Sequence, residues 1–143
     1  MIKLITPKEA CKVLCHPEIY DVISDDNSIP ADEFEPSEDC EYIGGFIEDK
    51  LFAVMIYHEF RDGVKLHIQV LPEYREHLSI EFGRDGLEYG LSKNIPIYCD
   101  IPKIYPNVKR YAESFGFEVI EAISQCTEKN GIIGDSELLK YMS

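Results

Sequence analysis

His67 stands inside an apolar run, Lys65-Leu66-His67-Ile68-Gln69-Val70-Leu71. Histidine changes charge near neutrality, so a strand histidine facing a cleft is suited to taking a proton from an ammonium, directly or through water. The same ring is suited to tying the sheet or a loop by a hydrogen bond, and the sequence leaves both uses open. His58 and His77 rank behind it, and His16 behind those. The run stops at Pro72, and Glu73-Tyr74-Arg75 opens a helical pattern. A strand–turn–helix junction of this kind aims backbone N–H groups outward, where they can receive phosphate. Cysteine offers less. The five residues, Cys11, Cys15, Cys40, Cys99 and Cys126, are odd in number and contain no CxxC pair. Cys11 and Cys15 share one face if their segment is helical, with His16 adjacent. Further metal ligands would have to come from far along the chain, so no metal is expected, and the thiols are expected to be reduced and mostly packed.

The elements that must position these groups follow from periodicity and turn residues. Residues 2–5 alternate as a first strand. Thr6-Pro7-Lys8-Glu9 carries the signature of a helix start, with Thr6 as N-cap, Pro7 in the first turn and Glu9 closing a capping box. His16-Pro17 breaks that helix, and a second short one runs from Pro17 to about residue 23. Residues 28–39 form a polar, acidic loop with Pro30 and Pro36. Strands over 40–46 and 50–60 join at Glu48-Asp49, and Arg61-Asp62-Gly63, which contains the favoured hairpin pair Asp-Gly, is the next turn and leads into a strand over 64–71. A helix over 74–91 contains Gly83, Gly86 and Gly90, which weaken it, Gly90 lying near its C-cap. A strand over 95–101 must run parallel to a neighbour if that helix is a crossover. Tyr105-Pro106-Asn107 opens a helix closed by Gly116. Residues 117–126 form a strand, Asn130-Gly131 a turn, and 132–141 a last strand or short helix. The order is β-α-α-β-β-β-α-β-α-β-β.

A chain of 143 residues suits a single domain, 1–143, and 45% hydrophobic content is enough for a core. No apolar run is long enough to span a bilayer, and the N-terminus lacks a signal-peptide pattern. The expected location is cytoplasmic. The net charge of −13, from 27 acidic and 14 basic side chains, speaks against nucleic acid, whose phosphates need Lys and Arg. It favours basic partners such as amines or basic proteins. The acid is concentrated between Asp21 and Glu41, a stretch without Lys or Arg.

The element order, the Leu66-His67 and Pro72-Glu73-Tyr74-Arg75 patterns, and Asn107 with the ending Ser114-Phe115-Gly116-Phe117 together resemble the GNAT superfamily of acyl-CoA-dependent N-acetyltransferases. His16-Pro17-Glu18-Ile19-Tyr20 and Cys126-Thr127-Glu128-Lys129-Asn130-Gly131, with Asp135 after it, are similar to short bacteriophage members, whose cofactor motif is often degenerate. The resemblance implies a single-domain α/β GNAT fold, a mixed central sheet flanked by helices, and a cleft where the strand over 64–71 splays from the strand over 95–101. It implies acetyl-CoA as co-substrate and transfer of an acetyl group to a primary amine, on a small amine or a basic protein. Val70 and Leu71 would align the pantetheine. Arg75, His77, Leu78, Ser79 and Ile80 would receive the pyrophosphate, with Asn107 contributing from the later motif. Leu78 and Ile80 stand where the family has glycines, and Glu76 brings a negative charge. His67 would be the base. Ala112 occupies the place of the usual tyrosine acid, and Tyr105 is the substitute from the helix start. The alternative is a GNAT-fold phage protein without catalysis, acting in virion assembly or on a host partner. Its location would be the host cytoplasm, and a homodimer is one assembly open to it. No membrane partner is expected.

Overall fold

A computed structural model describes residues 1–142, the side chains at 125 and 126 excepted. Strand β1 (Ile2–Ile5) hands over to α1 (Pro7–Leu14) through the expected capping box. The Glu9 N–H donates to the Thr6 hydroxyl at 3.1 Å, and the Thr6 N–H donates to the Glu9 carboxylate at 3.1 Å. Two donors that a helix start leaves open are thereby satisfied. Helix α2 (Pro17–Ile23) begins in a similar way: the Glu18 N–H donates to His16 Nδ1 at 3.2 Å, which gives His16 a structural task. Cys11 and Cys15 are joined in a disulfide. This corrects the expectation of free thiols at these two positions: the four-residue spacing that sets them on one helix face also brings the sulfurs within reach. Cys40 and Cys99 are free, and Cys126 lies outside the described side chains.

Strands β2 (Glu41–Ile47), β3 (Lys50–Phe60) and β4 (Gly63–Val70) form an antiparallel meander. Glu48 and Asp49 make the first turn with φ of 49° and 65°, the two positive angles that a tight hairpin needs. The second turn is one residue shorter than the expected Arg61-Asp62-Gly63. Its two loop residues are Arg61, at φ 50°, and Asp62, because Phe60 pairs with Gly63. Gly63 is needed for close approach: a Cβ there would stand 2.0 Å from the Pro96 carbonyl oxygen.

A 3-10 turn (Pro72–Tyr74) leads into α3 (Arg75–Leu91), followed by β5 (Ile97–Pro102), α4 (Pro106–Ser114), β6 (Phe117–Lys129) and β7 (Ile132–Tyr141). Asn130 and Gly131, both at positive φ, join β6 to β7 as expected. The last segment is a strand, which settles the choice between strand and helix there. The sheet order is β1-β2-β3-β4-β5-β7-β6, and among the described residues only β4–β5 is a parallel pair. The pleat divides the apolar residues between two cores. Met55, Tyr57, Leu66, Ile97 and Leu139 face α3 and α4, while Tyr42 and Val54 face α1 and α2.

The glycines of α3 have a different task from the one read in the sequence. Gly90 lies two residues before the C-cap, Ser92, as expected, but packing and not capping is its use. A Cβ on Gly83 would stand 2.3 Å from the Tyr111 hydroxyl, one on Gly86 2.5 Å from the end of Met55, and one on Gly90 2.3 Å from the Tyr57 hydroxyl. They form a smooth strip that lets α3 lie against β3 and α4. Tyr57 uses the close approach to donate a hydrogen bond to the Gly86 carbonyl at 2.8 Å.

Candidate functional site

Strands β4 and β5 touch only at their beginnings, through Val64 with Ile97 and Lys65 with Tyr98. Beyond that, β4 follows β3 and β5 follows β7, so the two part toward the Val70 end, as expected. The gap is a cavity of about 280 Å³. Ile23 of α2 borders it, and so do Gly83 of α3 and Tyr111 of α4. Since α2 packs on one face of the sheet and α3 on the other, the opening passes through the plane of the sheet.

The β4 backbone gives this opening a polar edge. The Leu71 N–H donates to the Phe52 carbonyl on β3 at 2.9 Å, and the Val64 N–H donates to the Pro96 carbonyl on the β5 side at 2.9 Å. Strand groups alternate in direction, so Ile68 and Val70 turn their amides away from β3 toward the gap. The Val70 carbonyl accepts from Arg75 Nε at 3.0 Å.

Both expected catalytic side chains, His67 and Tyr105, line the cavity. Tyr105 sits at the N-cap of α4, where its N–H donates to the Pro102 carbonyl at 3.0 Å. His67 is half-buried on the α1–α2 face of β4. Its Nε2 lies 2.9 Å from Nε2 of His58. Burial pushes the His67 pKa down to about 4; the Asp100 carboxylate opposes this, while His58 and Lys65 add to it. His67 is therefore neutral at pH 7. Asp100, on β5, also borders the cavity and takes a hydrogen bond from Lys65 Nζ at 2.9 Å.

Two further cavity groups are quiet. Burial pushes the Cys99 thiol up to about 12, so it stays protonated and unreactive. Burial also raises the Tyr111 phenol, whose hydroxyl donates to the Ser79 carbonyl at 2.5 Å. Tyr111 thus ties α4 to the first turns of α3. Ala112, beside it, is part of the cavity wall.

The residues expected to hold the cofactor are spread outside the cavity lining. Val70 is buried, and Leu71 caps the 3-10 turn. Arg75 and His77 are exposed, Ile80 is half in solvent at 50%, and Leu78 packs its side chain against the core. Ser79 donates its hydroxyl to the Arg75 carbonyl, and Asn107 accepts from the Arg110 guanidinium on the surface of α4. The strand edge at Ile68 and Val70 fits an extended chain carrying amides. The junction at 75–80 fits a pyrophosphate less well, because no glycine opens its backbone.

Sequence reading missed Lys65, Asp100 and the partnership of His58 with His67. The last was within reach. A two-residue turn at Arg61-Asp62 sets His58 opposite Lys65 and makes His67 its diagonal neighbour on the same face.

The splayed parallel pair inside an otherwise antiparallel sheet, with helices on both faces, is the GNAT acyltransferase fold. Solved structures agree along the whole chain. A putative phosphinothricin N-acetyltransferase superimposes with a TM-score of 0.79 at 16% identity, covering 100% of this chain and 98% of that one. Ribosomal-protein-alanine N-acetyltransferase from Brucella melitensis gives 0.77 at 13% identity, with coverage of 100% and 99%. An acetyltransferase of the GNAT family from Streptococcus pneumoniae gives 0.75 at 13% identity, with coverage of 98% and 97%. At these identities the likeness is one of fold. No family model and no curated protein matches the sequence.

Proposed function

We propose that the protein is an N-acetyltransferase that moves an acetyl group from acetyl-CoA to a primary amine. The observation that carries this reading is the gap between β4 and β5, open through the sheet, with His67 and Tyr105 on its wall. The Ile68 and Val70 amides would hold the amide-bearing arm of acetyl-CoA, and the Val70 N–H would polarise the thioester carbonyl. The acceptor would enter from the α1–α2 face, where His67 takes its proton. Tyr105 would return a proton to the departing thiolate. The acidic segment between α2 and β2 would draw a basic acceptor, a small amine or a basic protein. Isothermal calorimetry with acetyl-CoA tests the reading. Binding heat at millimolar ligand or below is expected, with an acetylated amine seen by mass spectrometry in a mixture of amines. Absence of both would end it.

The junction at 75–80 favours a second reading, a bacteriophage protein of GNAT fold without catalysis, working in assembly or on a host partner in the host cytoplasm. Arg75 already spends its Nε on Val70, and Leu78 fills space against the core. Recovery of a stoichiometric partner by protein that ignores acetyl-CoA would support this reading over the first.

A further inference from the structure

Resting on the transferase reading above, we infer that His58 is the second station of a proton relay that drains His67 out of the cleft. The contact has the geometry that a relay needs. The two imidazole planes differ by 14°, and the ring centroids lie 5.1 Å apart. With the Nε2 atoms 2.9 Å apart, the rings meet edge to edge and almost in one plane. That is the direction in which an N–H of one points at the lone pair of the other. Ring faces are not in contact.

The network also sets the direction of transfer. His58 Nδ1 lies 3.2 Å from the Glu59 carbonyl oxygen. A carbonyl only accepts, so Nδ1 of His58 carries its proton there. Neutral His58 then presents a lone pair at Nε2, and His67 Nε2–H donates to it. This leaves Nδ1 of His67 as the unprotonated nitrogen that receives the acceptor's proton.

The step balances. An ammonium N–H bond breaks and an N–H bond forms at His67 Nδ1. The Nε2 proton of His67 then moves to His58 Nε2, and the positive charge moves with it. His58, now protonated at both nitrogens, releases one proton to solvent, and both rings return to their starting tautomers by exchange with water. The amine left in the cleft is neutral and nucleophilic.

The surroundings explain why a single histidine does not suffice. The titratable groups near His67 are Lys65 on its own strand, Asp100 on β5 and His58 on β3, and the α2 residues beside the cavity, Val22 and Ile23, are apolar. The Asp100 carboxylate is engaged by Lys65 at 2.9 Å. A half-buried ring beside an ammonium holds an extra proton poorly and must pass it on. The low pKa of His67 is in line with this.

The test uses two variants of the full chain, with acetyl-CoA and an amine that the wild type acetylates. His58→Gln and His58→Ala are expected to lower kcat about ten- to a hundredfold, within the range of general acid–base effects, while the acetyl-CoA affinity read by calorimetry stays unchanged. Imidazole added to His58→Ala is expected to restore most of the rate, which a merely structural role would not allow. Wild-type kcat in either variant, or no response to imidazole, would overturn the relay. Long-range proton–nitrogen spectra of the wild-type histidines give a check that needs no variant to fold. His67 is expected as the Nε2–H tautomer, and the opposite tautomer would overturn the relay. A wild type that acetylates no amine removes the transferase reading and the relay together; an active wild type with unaffected variants removes the relay alone.

Discussion

At the scale of single residues, the cavity is lined by a histidine, a cysteine and tyrosines, and the fold sorts them. Burial keeps Cys99 protonated, and Tyr111 is committed to the Ser79 carbonyl. Under the transferase reading, His67 and Tyr105 are the two that would handle protons. Arg75 is the residue whose role divides the two functional readings. Its Nε is used within the protein on the Val70 carbonyl, while the rest of its exposed guanidinium stands at the entrance to α3. If the entrance receives the pyrophosphate, one charge-assisted contact there contributes on the order of 1.5–3 kcal/mol. Arg75→Ala is then expected to weaken acetyl-CoA about ten- to a hundredfold in calorimetry, with little change in the melting temperature. Unchanged affinity in a folded variant would show that the junction carries no phosphate. His67 and Tyr105 were legible as site candidates because strand end and helix start are places the sequence marks with Pro72 and Pro106. Asp100 and Lys65 were not: the two strands were expected side by side, but no local pattern sets the register that brings these two side chains together.

At the scale of elements, α3 shows how a helix of low intrinsic propensity is held by its neighbours. Each of its three interior glycines costs about 1 kcal/mol relative to Ala in an isolated helix. Adding a methyl group would recover that amount only where there is room. At Gly90 there is none: the added Cβ meets the Tyr57 hydroxyl at 2.3 Å, its next ring atom at 2.6 Å, and a ring that is itself buried. Gly90→Ala is therefore expected to destabilise the protein by roughly 1–3 kcal/mol, the usual range for overpacking a core. Urea unfolding followed by circular dichroism would measure it. A stabilised variant would mean that helix propensity outweighs the contact. The element boundaries were largely readable, because caps and turns are written in short motifs such as Thr6-Pro7-Lys8-Glu9 and Asn130-Gly131. The sequence was misleading where a motif had two physical uses. Arg61-Asp62-Gly63 reads as a turn, yet only its first two residues form the loop; Gly63 pairs with Phe60 and lets Pro96 approach. The two-residue turn at Arg61-Asp62 puts His58 and His67 on one face as diagonal neighbours, a contact that follows once the turn is placed.

At the scale of the whole molecule, two faces of one sheet and a tie between distant segments set the response to acid. The Asp26 carboxylate accepts from the Gly131 N–H at 2.7 Å and the Asn130 N–H at 2.8 Å, and Lys129 Nζ donates to the Ser24 carbonyl at 2.9 Å. The segment after α2 is thus fastened to the β6–β7 turn, a link across more than a hundred residues that no local pattern announces. These bonds, first to Gly131 and then to Asn130, hold Asp26 below the usual carboxylate range, and the Tyr98 hydroxyl does the same for Asp62 at 2.6 Å. His67 works in a different window. Its folded pKa of about 4 lies below the ordinary value of 6.5, so between those values the unfolded chain binds the proton more readily. Stability then rises with pH across this window and falls as pH drops from about 6.5 toward 4. The carboxylates act lower, their contribution being lost as pH falls below the ordinary aspartate range of about 3.9. The net charge of −13 pulls the other way, since protonating carboxylates relieves self-repulsion, but that relief comes mainly near carboxylate pKa values and not between pH 5 and 6.5. Urea midpoints are expected to drop between pH 7 and 5 in the wild type. In His67→Gln the drop should be smaller in that interval while the loss below pH 4 remains. An identical slope in the two proteins between pH 7 and 5 would show that His67 is not held neutral by the fold, and the proton route built on its neutrality would fall with it.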